Sequence, residues 1–285
     1  MVTLTLELSK RLEAAVENMP AFPKSVQKIL ELTRNINCAP KDIVAIIEKD
    51  PVVTMKILKV LNSAFYALPS KVTSVNRAVV YLGLNTVKNL ALSFASVGVL
   101  PNSNAAGFDM DRYLRHSLIT AGIARQLAAK HASDQVDPMD CYIAGLLHDF
   151  GKVVFSQFMA AEFKAALAAS HLSGRRLHDT ESEFIGANHA VVGSMLAQRW
   201  QFPDNLVDCI LQHHDEPVSD GCMSECLYLA DTISKLTEKD AAVLEPSADW
   251  RSKTMALTVQ EAVTSLGDLD RFALEADLFM QTSRS

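Results

Sequence analysis

Basic residues are in deficit: 27 Lys and Arg stand against 33 Asp and Glu, for a net charge of −6 and a pI near 5.8. A nucleic-acid-binding protein normally carries a basic face, so no nucleic-acid partner is expected. Cysteine is scarce and awkwardly numbered. Five residues (Cys38, Cys141, Cys209, Cys222 and Cys226) with no C-x-x-C spacing do not make a disulfide framework, and reduced thiols in a cytoplasmic protein are the simplest reading. No apolar run approaches the about 20 residues that a membrane-spanning helix needs. The opening "MVTLTLELSKRLEAAVENMP" lacks a signal-peptide pattern, so no membrane partner is expected either. Convincing strand alternation, internal repeats and low-complexity tracts are also missing.

What the chain does have is apolar residues at helical spacing. Hydrophobic residues make up 49% of 285, enough for a sizeable core. "SVQKILELT", "PKDIVAIIEKD", "PVVTMKILKVLNSAFY" and "SVNRAVVYLG" read as helices of two to four turns each. Pro40 sits in a first turn, Asp50-Pro51 closes one helix and opens the next, and Ser74 caps a segment that ends at Gly83. The stretch "LPNSNAAGFD" is rich in Asn, Ser, Gly and Pro and marks a boundary near residue 105. Helices are expected beyond it over 110–130, 138–148, 157–171, 180–200, 203–213 and 222–237. After an irregular loop, "TEKDAAVLEPSADW", two more follow over 253–266 and 270–281. The expected fold is all-α in two helical parts, 1–105 and 106–285.

Several ionisable residues fall where this pattern calls for apolar ones. His116 shares a helical face with Ile119, Thr120, Ile123 and Leu127; His189 shares one with Ile185, Val192, Gly193 and Leu196. His148 and Asp149 follow the apolar run "CYIAGLL", His213 and His214 end "LVDCILQHH", and Asp231 interrupts "CLYLADTISKL". One histidine on an apolar face is more often a hydrogen-bonded core residue than a ligand. Five segments doing the same thing, with imidazoles and carboxylates together, make a mixed N/O metal set. His131, His171 and His178 stand in polar surroundings and read as solvated. Adjacent side chains on a helix diverge by about 100°. The pair His148-Asp149 therefore suits two ions, or a carboxylate that bridges while the imidazole reaches one side, an arrangement built for phosphate-ester chemistry.

The order His116, His148-Asp149, Asp231 resembles the H…HD…D pattern of the HD superfamily of metal-dependent phosphohydrolases. "LLHDFGK" is similar to that superfamily's helix end. "EFIGANHAVVGSMLAQRWQFPDNLVDCILQHHDEP", with "FPKSVQKILELT" and the region around "NSAFY…LG", resembles HDOD domains, over roughly residues 15 to 235. The resemblance implies a bacterial signalling or regulatory module. By position in the motifs, His116, His148, Asp149, His189, His213, His214 and Asp231 match ligand positions in the related HD-GYP phosphodiesterases. Lys152 matches a lysine that approaches substrate phosphate there, which makes Asp149 and Lys152 the expected catalytic pair. The implied cofactor is a divalent transition metal (Fe, Mn or Zn), one or two ions. Two departures stand out. "DEPVSDGCMSE" lacks Gly-Tyr-Pro, and Arg112 occupies a position that is glutamate in some HD-GYP members, which argues against a third ion and against cyclic di-GMP as substrate. A signalling module binding a protein partner is favoured over the alternative, a phosphohydrolase acting on a nucleotide or other phosphorylated small molecule.

Overall fold

Short polar side chains set the helix starts. Thr5 accepts from Leu8 N at 3.2 Å at the head of α1 (Leu6–Asn18). Asp50 accepts from the Val52 and Val53 amides, both at 3.1 Å, with Pro51 as the first helical residue of α3 (Pro51–Leu61). Asp109 does the same for α5 (Met110–His131) and Asp137 for α6 (Pro138–Leu147). Each satisfies backbone donors that the first turn leaves unpaired. The structure, a computed structural model, describes residues 4–22, 28–29, 31–32, 39–63, 66, 68, 70–101, 104–215, 221–237 and 250–283. Among them every regular element is a helix. Most of "SVQKILELT", Cys38 and nearly all of "TEKDAAVLEPSADW" lie outside the described residues.

The remaining elements are α2 (Pro40–Glu48), α4 (Val75–Gly98), α7 (Phe150–Phe158), α8 (Ala160–Ser173), α9 (Leu177–Phe184), α10 (His189–Arg199), α11 (Asp204–Gln212), α12 (Cys222–Thr237), α13 (Val259–Leu266) and α14 (Asp270–Ser283). Two compact units result. One comprises Met1–Met19 with Pro101–Phe272, the other Pro20–Leu100 with Ala273–Ser285. In the second unit α2, α3 and α4 pack on one another. The Asn62 amide ties the end of α3 to the Val72 backbone, donating to Val72 O at 2.8 Å and accepting from Val72 N at 2.7 Å. Helix α4 changes direction at Gly83, where Ser74 and Gly83 bracket its first part. By length and composition alone α4 could cross a membrane, contrary to the expectation that no run was long enough; 56% of that window is buried inside the protein, in the manner of a core helix.

In the first unit α5 packs against α6 and α12, and α10 against α7, α11 and α1. Several elements of this unit depart from the sequence expectation, α1 and α7 among them, for which no helix was expected over most of their length. The expected helix over 180–200 is two helices, because Gly186 takes φ +91° and Asn188 caps α10 by accepting from Val191 N at 3.2 Å. Ile185 therefore does not share a helical face with His189. The expected helix over 253–266 begins only at Val259, where Thr258 and Glu261 form a capping box. The preceding turn is held instead by buried Glu225, which accepts from Ser252 Oγ at 2.6 Å and from the Lys253 and Thr254 amides at 3.0 Å.

Candidate metal centre

His148 and Asp149 occupy a joint between helices. Helix α6 ends at Leu147, His148 is its C-cap, and Asp149 is the residue before α7. The chain turns between them, so the two side chains can converge where a continuous helix would spread them. Two glycines in the same motif bring the neighbouring helices close enough to reach them. A Cβ on Gly145 would lie 2.6 Å from Ala121 Cα on α5, the helix that carries His116. A Cβ on Gly151 would lie 1.9 Å from the carbonyl oxygen of His189. Only glycine permits these backbone approaches.

Asp149 stands at the centre, 2% exposed. Its Oδ2 lies 3.4 Å from His148 Nε2 and 3.7 Å from His116 Nε2; its Oδ1 lies 3.0 Å from His189 Nε2 and 3.6 Å from His213 Nε2. Asp231 Oδ1 closes the first side, 3.1 Å from His116 Nε2 and 3.6 Å from His148 Nε2. His214 Nε2 closes the second, 2.8 Å from His189 Nε2. All seven sequence-expected ligands thus meet in one place, in overlapping trios able to hold a metal ion: His116, His148 and Asp231; His148, Asp149 and His213; His189, His213 and His214. Lys152 is there too, donating to Asp149 Oδ2 at 2.5 Å.

Three rings are oriented from behind. His148 Nδ1 donates to Gly145 O at 2.8 Å, His213 Nδ1 to Ile210 O at 2.7 Å and His189 Nδ1 to Glu181 Oε2 at 2.6 Å. With Nδ1 engaged in this way, Nε2 is the nitrogen that each ring turns inward, the one left for a metal. His148 Nε2, His213 Nε2 and Asp231 Oδ1 are buried and make no hydrogen bond. Leaving such atoms unsatisfied costs about 1–3 kcal/mol each. A cation among them removes that cost, so the donor set fits a divalent metal.

The electrostatics point the same way. Burial alone would raise the pKa of Asp149, but the charges of His148 and Lys152 outweigh it and hold the carboxyl well below the usual range. For Asp231 burial is likewise outweighed, here by the Lys235 charge and by the nearby imidazoles of His116 and His148. His148 is depressed by burial, yet the two aspartates lift it to about 9. Burial lowers His213 to about 4, and neighbouring Asp149 offsets this only in part. Two anionic carboxylates therefore lie buried among the imidazoles.

Glu181 is the residue that sequence reasoning missed. Fully buried on α9, it accepts from both His189 Nδ1 and His189 N, the latter at 2.8 Å, and so fixes ring and backbone together. Its one sequence signal is a carboxylate eight residues before His189, and "TESEF" looks solvated. His178 also departs from expectation. Its side chain is only 15% exposed and stacks on His214 with ring centroids 3.9 Å apart, and burial lowers its pKa to about 3. His131 is half-buried and meets Ser265 Oγ at 3.0 Å; His171 is exposed, as expected. A cavity of about 610 Å³ opens over the cluster, with Arg112, Tyr113, Arg176, Tyr228 and Lys235 among its lining residues.

The HDOD domain family matches residues 19–216. An uncharacterised protein of Treponema pallidum (strain Nichols) is 28% identical over 218 residues, 75% of this chain and 41% of that protein. The chain thus spans less than half the length of that curated relative. Among solved structures, an HDOD domain protein of Geobacter sulfurreducens superposes with TM-score 0.74 at 23% identity, covering 98% of this chain and 96% of the other. A candidate signal transduction protein of Marinobacter aquaeolei VT8 gives 0.77 at 24%, covering 100% and 67%. A candidate metal-dependent phosphohydrolase of Shewanella amazonensis SB2B gives 0.61 at 18%, covering 98% and 97%. At these identities the likenesses speak for the fold.

Proposed function

The chain belongs to the HDOD domain family, and from that premise we propose that it is a bacterial signalling module whose HD-type centre still takes up metal. One observation carries the reading. The two oxygens of Asp149 face two sets of donors: Oδ2 faces His116 and His148 with Asp231 beside them, and Oδ1 faces His189 and His213 with His214 beside them. The first set would hold one ion and the second another, with Asp149 shared. Mixed imidazole and carboxylate donors suit Fe, Mn or Zn better than Ca²⁺, which selects all-oxygen sites. A divalent ion bound there supplies Lewis-acid polarisation of a phosphoryl oxygen. Signalling output would pass to a protein partner.

A second reading, hydrolysis of a nucleotide or other phosphate ester, is favoured by a different observation. The cavity reaches Asp149 and Lys152 directly, so a phosphorylated small molecule could enter. In that case Lys152 binds and orients the phosphate, Asp149 holds charge at the reacting centre, and Tyr113 and Tyr228 offer faces for an organic moiety. The two readings separate on turnover. Metal uptake is common to both and is checked by melting: the wild-type protein is expected to lose thermal stability in EDTA and regain it with Mn²⁺ or Zn²⁺. Indifference to prolonged chelation would contradict both. Release of inorganic phosphate from an ester panel in Mn²⁺ or Mg²⁺, beyond one equivalent per chain, would select the enzyme.

A further inference from the structure

Each of the two central carboxylates carries its own lysine one helical turn later. Lys152 Nζ lies 2.5 Å from Asp149 Oδ2, and Lys235 Nζ lies 2.5 Å from Asp231 Oδ2. Both ammonium groups line the cavity, with side chains 16% and 30% exposed. The same two carboxylates border the His116 and His148 nitrogens.

We propose that Lys235, together with Lys152, is an exchangeable counter-ion that turns metal binding into anion binding. Without metal, the lysines neutralise Asp231 and Asp149 and hold the buried site together. A divalent ion that engages the same carboxylates competes with the ammonium groups for their negative charge. The displaced lysines are four-carbon stems with rotatable heads, and the space open to them is the cavity above. The charge count sets the ligand class. In the two ion pairs Asp149 and Asp231 contribute two negative charges and the two lysines two positive ones. The metal-free site is therefore near neutral, whereas even one divalent ion makes it cationic. The group that fits is a compact, multiply charged oxyanion, a phosphate whether free or borne on a small molecule, held by Lys235 on one flank and Lys152 on the other. Arg176 at the cavity wall is already paired with Asp179 at 3.0 Å and is not required. This inference rests on the proposed metal uptake. It goes beyond it in giving Lys235 a ligand and in making phosphate binding conditional on metal.

The test is differential acylation of lysines in the 285-residue chain, read peptide by peptide by mass spectrometry. The protein is compared metal-free, loaded with Mn²⁺ or Zn²⁺ as verified by elemental analysis, and loaded with inorganic phosphate added. Exposed Lys10 and Lys164 serve as internal standards. Lys235 and Lys152 are expected to be protected in the metal-free protein, to become several-fold more reactive on loading, and to be protected again by phosphate. Calorimetry should show phosphate binding to the loaded protein only, weakened about tenfold by Lys235→Met, the loss of one charge-assisted contact. A loaded protein in which Lys235 reactivity is unchanged, or in which phosphate binds equally without metal, overturns the exchange and leaves the metal reading standing. Failure to load any metal overturns both. Should Lys235→Met fold poorly, Lys235→Arg keeps the charge and should retain phosphate binding; unchanged labelling in the wild type would still refute the proposal.

Discussion

Asp149 matters because, among the described residues, no other carboxylate touches both groups of imidazoles. In the presence of metal, Asp149→Ala should sharply lower occupancy, since cations would then face mostly neutral rings. Its melting temperature should barely respond to EDTA, unlike that of the wild type. If the centre were a metal-free polar cluster, the same substitution would cost only about 1–3 kcal/mol for partners left unsatisfied, and neither protein would respond to chelation. Glu181 acts one step back. Glu181→Gln keeps the shape but removes the charge that holds His189 Nδ1–H, and metal affinity should fall about 10–100-fold, measured by competition with a metallochromic chelator. Unchanged affinity would reduce Glu181 to a helix-end clamp. At this scale the ligands were legible in the sequence because histidine and aspartate interrupt apolar helical faces. Glu181 and His178 were not, because their neighbours Arg176, Asp179 and Glu183 are charged and solvated, and nothing local says that these two side chains turn inward.

Helices place the ligands, and glycines set how closely the helices approach. Gly151 is the sharpest case: a methyl group there meets the His189 carbonyl oxygen at 1.9 Å, so α7 and α10 must separate. Gly151→Ala should destabilise the protein by about 1–3 kcal/mol, the range for overpacking. Metal occupancy should fall with it, because Asp149 and His189 sit on the two sides of that contact. Thermal unfolding with and without EDTA checks this; a fully stable, fully metallated variant would show that the approach is not needed. The same elements explain what periodicity could and could not reveal. Helices α5, α6 and α12 were readable from their apolar spacing. The break over Ile185–Asn188 was hidden because "EFIGANHAVVG" keeps helical spacing on both sides of Gly186, and a single left-handed glycine leaves hydrophobic periodicity nearly intact. Helix α7 was missed because "FGKVVFSQF" follows directly on the His148-Asp149 joint, and helix was expected only from residue 157 on.

At the scale of the whole molecule, apolar residues at helical spacing foretold an all-α protein, and the family carried both the fold and the motif order. The division of labour among residues far apart in sequence was not readable in that way. His116, Asp149, His189, His213 and Asp231 come from five separate segments, and their meeting depends on how α5, α6, α10, α11 and α12 pack. The account stands on that meeting being a metal centre. Elemental analysis of protein expressed in medium supplemented with Fe, Mn and Zn and purified without chelator tests it most directly. One or two equivalents of a first-row transition metal per chain, lost in Asp149→Ala, is the result predicted. Wild-type protein that is folded and free of metal under those conditions would contradict it, and the imidazoles and carboxylates around Asp149 would then be a hydrogen-bonded core cluster.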